Sequence, residues 1–287
     1  MSNHIFRQIR TALRHLNPAE VRRSAERPLS VGLMAASTES LAAMEDFLAP
    51  PIISRKKRLE LVEILHRVGD PGAPSSFDLE LVEEGLLASP GAFSFSRTNP
   101  ERTVSEILDQ REDLHFALAR RFPAFRKPVV SRTIQEISKE NAIFSVLTAL
   151  PDVLPSFFQV GWAAGEFASD TTVITVNQIR MAFLTAAASD RQVGYHEQKA
   201  QIGAIIAGAF GWRALARQVV GKIPLGGGLI PKAAIAYAGT QVVGLSLEQY
   251  YGIGYGFTRD ERQLAYHEAF ERGKEVARSL LESVRQR

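Results

Sequence analysis

The sequence predicts an α/β N-terminal domain on a small parallel sheet with a degenerate phosphate-loop-like topology, followed by an all-α helical bundle. Three observations carry this reading. Short apolar runs alternate with helical stretches over residues 28–110. From Leu114 onward only helical spacing recurs. Late in the chain a glycine-rich turn, Lys222 to Lys232, joins two helical segments rich in small residues. The expected organisation is a basic amphipathic helix over 1–27, a degenerate nucleotide-binding-like α/β domain over 28–125, and a helical bundle over 126–287.

The first 27 residues hold six arginines against two glutamates. Ile5, Ile9, Leu13 and Leu16 recur at helical spacing with Arg7, Arg10 and Arg14 between them, a pattern suited to an anionic membrane surface or to a solvated basic face. No continuous apolar core marks a signal peptide there. Leu29 to Ala36 reads as a buried strand, Ser37 or Thr38 as a helix cap, and Leu41 to Leu48 as the helix, which together open a βαβ unit. Lys56 to Val68 reads as one helix, with Leu59, Val62, Leu65 and Val68 on one face. Asp78 to Val82 and Ala92 to Phe95 are short strands, and Thr103 to Leu108 is helical.

Beyond these lie helical segments over Leu114–Phe122, Val129–Leu150, Thr175–Ser189, His196–Val220, Ala233–Tyr251 and Asp260–Val284. Prolines 123, 128, 151 and 155 punctuate the joins, and Pro224 and Pro231 are expected outside helix. In the last hairpin, Ala236, Thr240 and Gly244 at four-residue spacing put small side chains on one face, so that another helix can come close.

Composition narrows the function classes. Apolar residues make up 45% and charged residues 23% of 287, the balance of a globular protein. A net charge of +3 gives no argument for a nucleic-acid partner. The absence of cysteine removes disulfides, thiolate chemistry and cysteine-based metal sites. The longest uncharged run, Ala233 to Leu247, has fifteen residues, where a spanning helix needs about 20.

No catalytic constellation and no metal spacing emerges, so no cofactor is expected. Gly32 to Ser40 lies where a phosphate loop would lie, giving Gly32, Ser37 and Thr38 as nucleotide-binding candidates. Thr38 stands at the lysine position, however, and Glu39 at the hydroxyl position, which puts negative charge where phosphate would sit. Lys222, Gly226, Gly227, Gly228 and Lys232 form a second candidate contact, for a membrane or a partner. His196 and Glu197, and later His267, Glu268 and Glu271, show no recognised ligand spacing. Asp170-Thr-Thr and Asn177-Gln178 either line a cavity or, more simply, Asp170 or Thr171 starts the helix that contains Gln178. The aromatic run from Gln249 to Phe257 suits either a packed helix end or an interfacial belt.

The order of motifs from Asp170-Thr-Thr through Asn177-Gln-Ile-Arg-Met181, Gly211-Trp-Arg-Ala-Leu-Ala-Arg217 and Ile223-Pro-Leu-Gly-Gly-Gly-Leu-Ile-Pro-Lys232 to Gly244 resembles the YcjF-type family of bacterial domains, often found beside small GTPase domains. The resemblance covers residues 135–255. It implies a helical, membrane-associated accessory domain with no established catalytic residues, preceded by a GTPase-like domain. No Asn-Lys-x-Asp or Asp-x-x-Gly motif supports a working GTPase. The expectation is a non-enzymatic accessory or scaffold protein, cytoplasmic and peripheral on the inner face of the cell membrane, with a GTPase or another protein as partner. The alternatives are a nucleotide-binding switch with an atypical loop at Gly32–Ser40, and an integral pore or carrier built from the apolar hairpins.

Overall fold

A computed structural model describes residues 16–148, 170–208 and 228–285. The chain divides into two units: residues 22–131 with 187–190, and residues 1–21 with 132–186 and 191–287.

The first unit is α/β. In order it holds α1 (Pro18–Glu26, which begins in the other unit), β1 (Val31–Met34), α2 (Thr38–Leu48), α3 (Arg55–Val62), β2 (Leu65–Arg67), β3 (Leu79–Glu83), β4 (Phe93–Phe95), α4 (Pro100–Gln110), a 3-10 turn at Glu112–Leu114 and α5 (His115–Arg121). The four strands pair in parallel in the order β2-β1-β3-β4, with Val31 opposite both Leu65 and Leu79, and Leu81 opposite Phe93. This is the expected small parallel sheet. Val31, Gly32 and Leu33 of β1 are buried in succession, while β3 buries Leu79, Leu81 and Val82 and leaves Glu80 and Glu83 half-buried. Edge strand β4 alternates buried Phe93, exposed Ser94 and buried Phe95. Met44, Leu48, Leu61, Ile107 and Leu108 complete the core against Leu33 and Leu81.

Three local features anchor the sheet. Asn99 caps α4 by accepting from the Arg102 N–H at 3.3 Å, and Pro100 follows as the first helical residue. Thr103, on the buried face of α4, gives its hydroxyl proton to the Ser94 carbonyl of β4 at 2.9 Å. At the opposite end of the sheet from the strand C-termini, Asp78 accepts from the Ser30 N–H at 2.9 Å and from Arg27 at 3.0 Å, joining the starts of β1 and β3.

The single helix expected over Lys56 to Val68 is corrected. It ends at Val62, and Leu65 to Arg67 turn into an edge strand whose backbone pairs with β1. The helical spacing of Leu59, Val62 and Leu65 misleads because Leu59 and Val62 face solvent. The expected break at Pro128 is also corrected. α6 runs from Pro123 to Leu147 with Pro128 at its sixth position. The lost backbone bond is offset by burial of Phe125, Val129, Val130, Ile134 and Ile137 along the same helix.

The second unit is helical. It comprises the later part of α6, then α7 (Asp170–Ala188), a helix over 199–208 (α8), α9 (Leu229–Ile253) and α10 (Arg259–Arg285). Ten consecutive residues of α9, from Ala233 to Val242, are buried, so this helix is covered all round. The small-residue face does what its spacing suggests. A Cβ added at Gly244 would fall 2.6 Å from Ile134 Cγ2 on α6 and 3.1 Å from Met181 Sδ on α7. On another side Gly273 of α10 lies 3.0 Å from the Ala234 backbone by the same measure.

Pro231 belongs to the helix after all, as the third residue of α9. Its missing N–H is one of the first four, which have no intrahelical partner in any helix. Gly254 ends α9 in the left-handed region at φ 91°. Thr258 and Glu261 then form a capping box for α10: the Thr258 N–H donates to Glu261 Oε2 at 2.8 Å, and the Glu261 N–H to Thr258 Oγ1 at 3.3 Å. Of the glycine hairpin, the start of the first arm up to Gly208 and the second arm from Gly228 onward lie within the described residues, and residues 209–227 lie outside them. Among those residues no helix is long and apolar enough to cross a membrane.

Candidate functional site

In a parallel sheet the ligand site is the crevice beyond the strand C-termini, where the strand order reverses. Here that point lies between β1 and β3, at the N-terminus of α2. Ser37 is the N-cap, its Oγ accepting from the Ser40 N–H at 3.1 Å, and Thr38 is the first helical residue. Helix N-termini present free N–H groups and positive potential, the basis of phosphate binding in nucleotide folds.

This position is already occupied by a side chain of the protein. Glu83, the last residue of β3, accepts from the Ala36 N–H at 2.7 Å and from the Ser40 hydroxyl at 2.6 Å. The Ser40 hydroxyl and the Ala36 N–H hold its carboxyl below the usual carboxylate range; partial desolvation opposes them and Arg97 adds to them. Arg97 in turn pairs with Glu39 at 3.3 Å, where both side chains are well exposed. The adjoining cleft, about 170 Å³, is bordered by Met44, Phe95, Glu84 and Thr98. A carboxylate held by these two donors is a poor base.

The candidate residues of the phosphate-loop reading therefore fall in two different places. Gly32 lies inside β1, not in the loop, and a Cβ there would fall 2.6–2.9 Å from the Phe77 ring. Its small size serves packing. Ser37 caps α2, and Thr38 begins it. Only Ala35, Ala36 and Ser37 separate strand from helix, too few for a loop that wraps a phosphate chain.

Within the helical unit the structure assembles a group that the sequence reading did not bring together. The helix begins at Asp170, one of the two expected starts, and Asn177 and Gln178 sit mid-helix on α7, both buried. Asn177 Nδ2 donates to Asn141 Oδ1 of α6 at 2.8 Å. Asn141 Nδ2 and Gln178 Nε2 converge on Thr240 Oγ1 of α9, at 2.9 and 3.3 Å, and that hydroxyl donates to the Ala236 carbonyl at 2.8 Å. Ser138 gives its proton to Gln241 Oε1 at 3.1 Å. Three helices thus share one polar seam of amides and hydroxyls, in which nothing titrates near neutrality. Seams of this kind fix helix register, because any slip leaves buried donors without partners. The available signal was a set of Asn, Gln and Thr side chains lying in line with apolar neighbours on helices.

Among the contact candidates, Arg7, Arg10, Arg14, Lys222, Gly226 and Gly227 lie outside the described residues. Gly228 precedes the first turn of α9 as its N-cap residue. Lys232 Nζ donates to Thr148 Oγ1 at 3.2 Å. His196 and His267 are exposed, and Glu271 pairs with Lys274 at 2.5 Å. Among the described residues no His, Asp and Glu group could hold a metal ion. The aromatic run splits: Tyr251 is buried, while Tyr250, Ile253 and Tyr255 are exposed. No protein-family model, no curated protein and no solved structure matches the chain.

Proposed function

We propose that the protein is a non-enzymatic accessory or scaffold protein whose α/β unit keeps the layout of a nucleotide fold with its phosphate seat filled by Glu83. One observation carries the reading: the Glu83 carboxylate takes the Ala36 N–H and the Ser40 hydroxyl at the N-terminus of α2. A phosphate entering there would meet a fixed negative charge in place of a lysine. Calorimetric titration of the full chain with GTP, GDP and ATP in the presence of magnesium tests it. No binding at millimolar nucleotide is expected. Saturable micromolar binding that is lost in Ser40→Ala would overturn the reading in favour of a switch.

The membrane and partner part of the proposal rests on the arginines at positions 7, 10 and 14 and on the resemblance to GTPase-associated domains. Peripheral binding to an anionic bilayer is the expected consequence, and a GTPase the expected class of partner. Flotation with vesicles containing anionic lipid should carry the wild-type chain at low salt and leave the triple variant Arg7→Glu, Arg10→Glu, Arg14→Glu at the bottom. Equal flotation of both would remove this part.

A further inference from the structure

Between α8 and α9 runs an open groove of about 550 Å³, within the range of small-molecule sites. Its walls are Ala200, Ala204 and Gly208 from α8, and Val242, Val243 and Leu247 from α9. The four-residue steps on α8 put its three small residues on one face, with Ile205 and Gln201 beside them in the same wall. From residue 200 to residue 208 a helix advances ~12 Å, the length of an extended chain of about nine or ten carbons.

The polar groups of the groove collect at one end. Gln201 stands in the first turn of α8, just after Gln198, whose side chain accepts from the Gly194 N–H and donates to the Gln192 carbonyl. At that same end Ser246 Oγ accepts from the Phe257 N–H at 3.1 Å, and Gly256 packs against the same oxygen. Arg262, which also lines the groove, gives one N–H to the Phe257 carbonyl at 3.3 Å and forms no ion pair among the described residues. Gln201 Oε1 is buried without a hydrogen-bond partner. Buried polar atoms left unpaired are rare in native proteins, and each has a cost. A guanidinium without an ion pair among the described residues suits an anion, and the Gln201 oxygen suits an N–H or O–H donor.

We infer that this groove binds a single-chain anionic amphiphile: an acyl chain of about ten carbons whose head carries a carboxylate and a neighbouring N–H or O–H. The chain lies between the α8 and α9 walls, the carboxylate meets Arg262 at the solvent-facing end, and the donor reaches Gln201. The site belongs to the helical unit alone and does not depend on the α/β unit being nucleotide-free.

The test is calorimetric titration of the full chain, without vesicles, using N-decanoylglycine and its methyl ester below their aggregation concentrations. Wild-type protein should bind the acid at one saturable site and the ester about tenfold more weakly, the scale of one charge-assisted hydrogen bond. Arg262→Gln should bring acid and ester to equal affinity. Ala204→Phe and, independently, Ala200→Phe replace exposed groove residues; each should abolish binding of both compounds while the helical circular dichroism and melting temperature stay those of wild type. Absence of saturable binding to wild type overturns the inference. So does binding that survives both phenylalanine variants, or an acid preference that survives Arg262→Gln.

Discussion

The carboxylate of Glu83 lies 2.7 Å from the backbone nitrogen of Ala36, so the end of β3 supplies the anion for the N-terminus of α2. Because the hydrogen bonds favour the charged form, the folded-state pKa lies below the ordinary value of 4.5. A depressed carboxyl contributes stability that is present above the unfolded pKa and is lost as pH falls through the folded one. Urea midpoints from about pH 6 to about pH 3 should therefore separate wild type from Glu83→Gln at the upper end and bring them together at the lower. Parallel profiles would show that these hydrogen bonds do not favour the ionised form.

Gly32 and Phe77 form a second such pair. With an added Cβ 2.6 Å from the ring, Gly32→Ala must displace Phe77 and should cost about 1–3 kcal/mol. Phe77→Ala removes the obstacle, so in that background the same substitution should cost measurably less. Chemical denaturation of the four proteins of the cycle checks this. Additive costs would mean that the ring does not set the requirement for glycine.

These two relationships mark how far the sequence could be read. The strand, short turn and helix from Leu29 to Leu48 were legible, because a continuous apolar run and a cap residue are local signals. β2 was not, since three residues on a sheet edge carry too little pattern to interrupt the apparent helix before them. The carboxylate at the head of α2 comes from a residue 43 positions from its hydroxyl donor, and no local pattern encodes that pairing. The polar seam failed for the same reason. Asn177 reads as a lone polar residue on an apolar helix until α6 and α9 stand beside it.

At Gly244 the expectation of close helix approach leads to a direct test. A methyl group there would press on Ile134 of α6 and Met181 of α7. Gly244→Ala removes a helix-weakening glycine, worth about 1 kcal/mol in an exposed helix, but introduces overpacking worth about 1–3 kcal/mol. The net change should be destabilising, and Ile134→Val should recover part of it. A raised melting temperature for Gly244→Ala would mean that the neighbours have room to yield.

Four of the six tyrosines, Tyr195, Tyr237, Tyr251 and Tyr266, have hydroxyls pushed above the ordinary value of 10.0 by burial. Tyr266 is pushed up to about 12, and Tyr251, against the Ala182 carbonyl, further. A raised folded pKa gives stability that is complete below the unfolded value and is lost as pH rises through the folded one. Stability should fall from about pH 10 upward, with phenolate absorbance appearing in step with loss of helical circular dichroism. Tyr251→Phe should flatten the fall. Smooth ionisation of every tyrosine near pH 10 with the helices intact would contradict the burial.

Asn141 is the junction of the polar seam, donating to Thr240 and accepting from Asn177. Asn141→Leu removes both links at once and leaves the Asn177 amide with buried donors unmatched, a loss of about 1–3 kcal/mol for each unsatisfied group. Asn177→Leu added to it removes the stranded amide, so the double variant should be less destabilised than the sum of the two single ones. Register makes the sharper distinction. If the seam serves specificity, the double variant should keep its helical content but lose chemical-shift dispersion among the methyl groups of α6, α7 and α9, because apolar contacts alone allow several alignments. If dispersion stays native while stability recovers, the seam is a tolerated cost of some other requirement on α7, and register is held by the close contact of Gly244 with Ile134 instead.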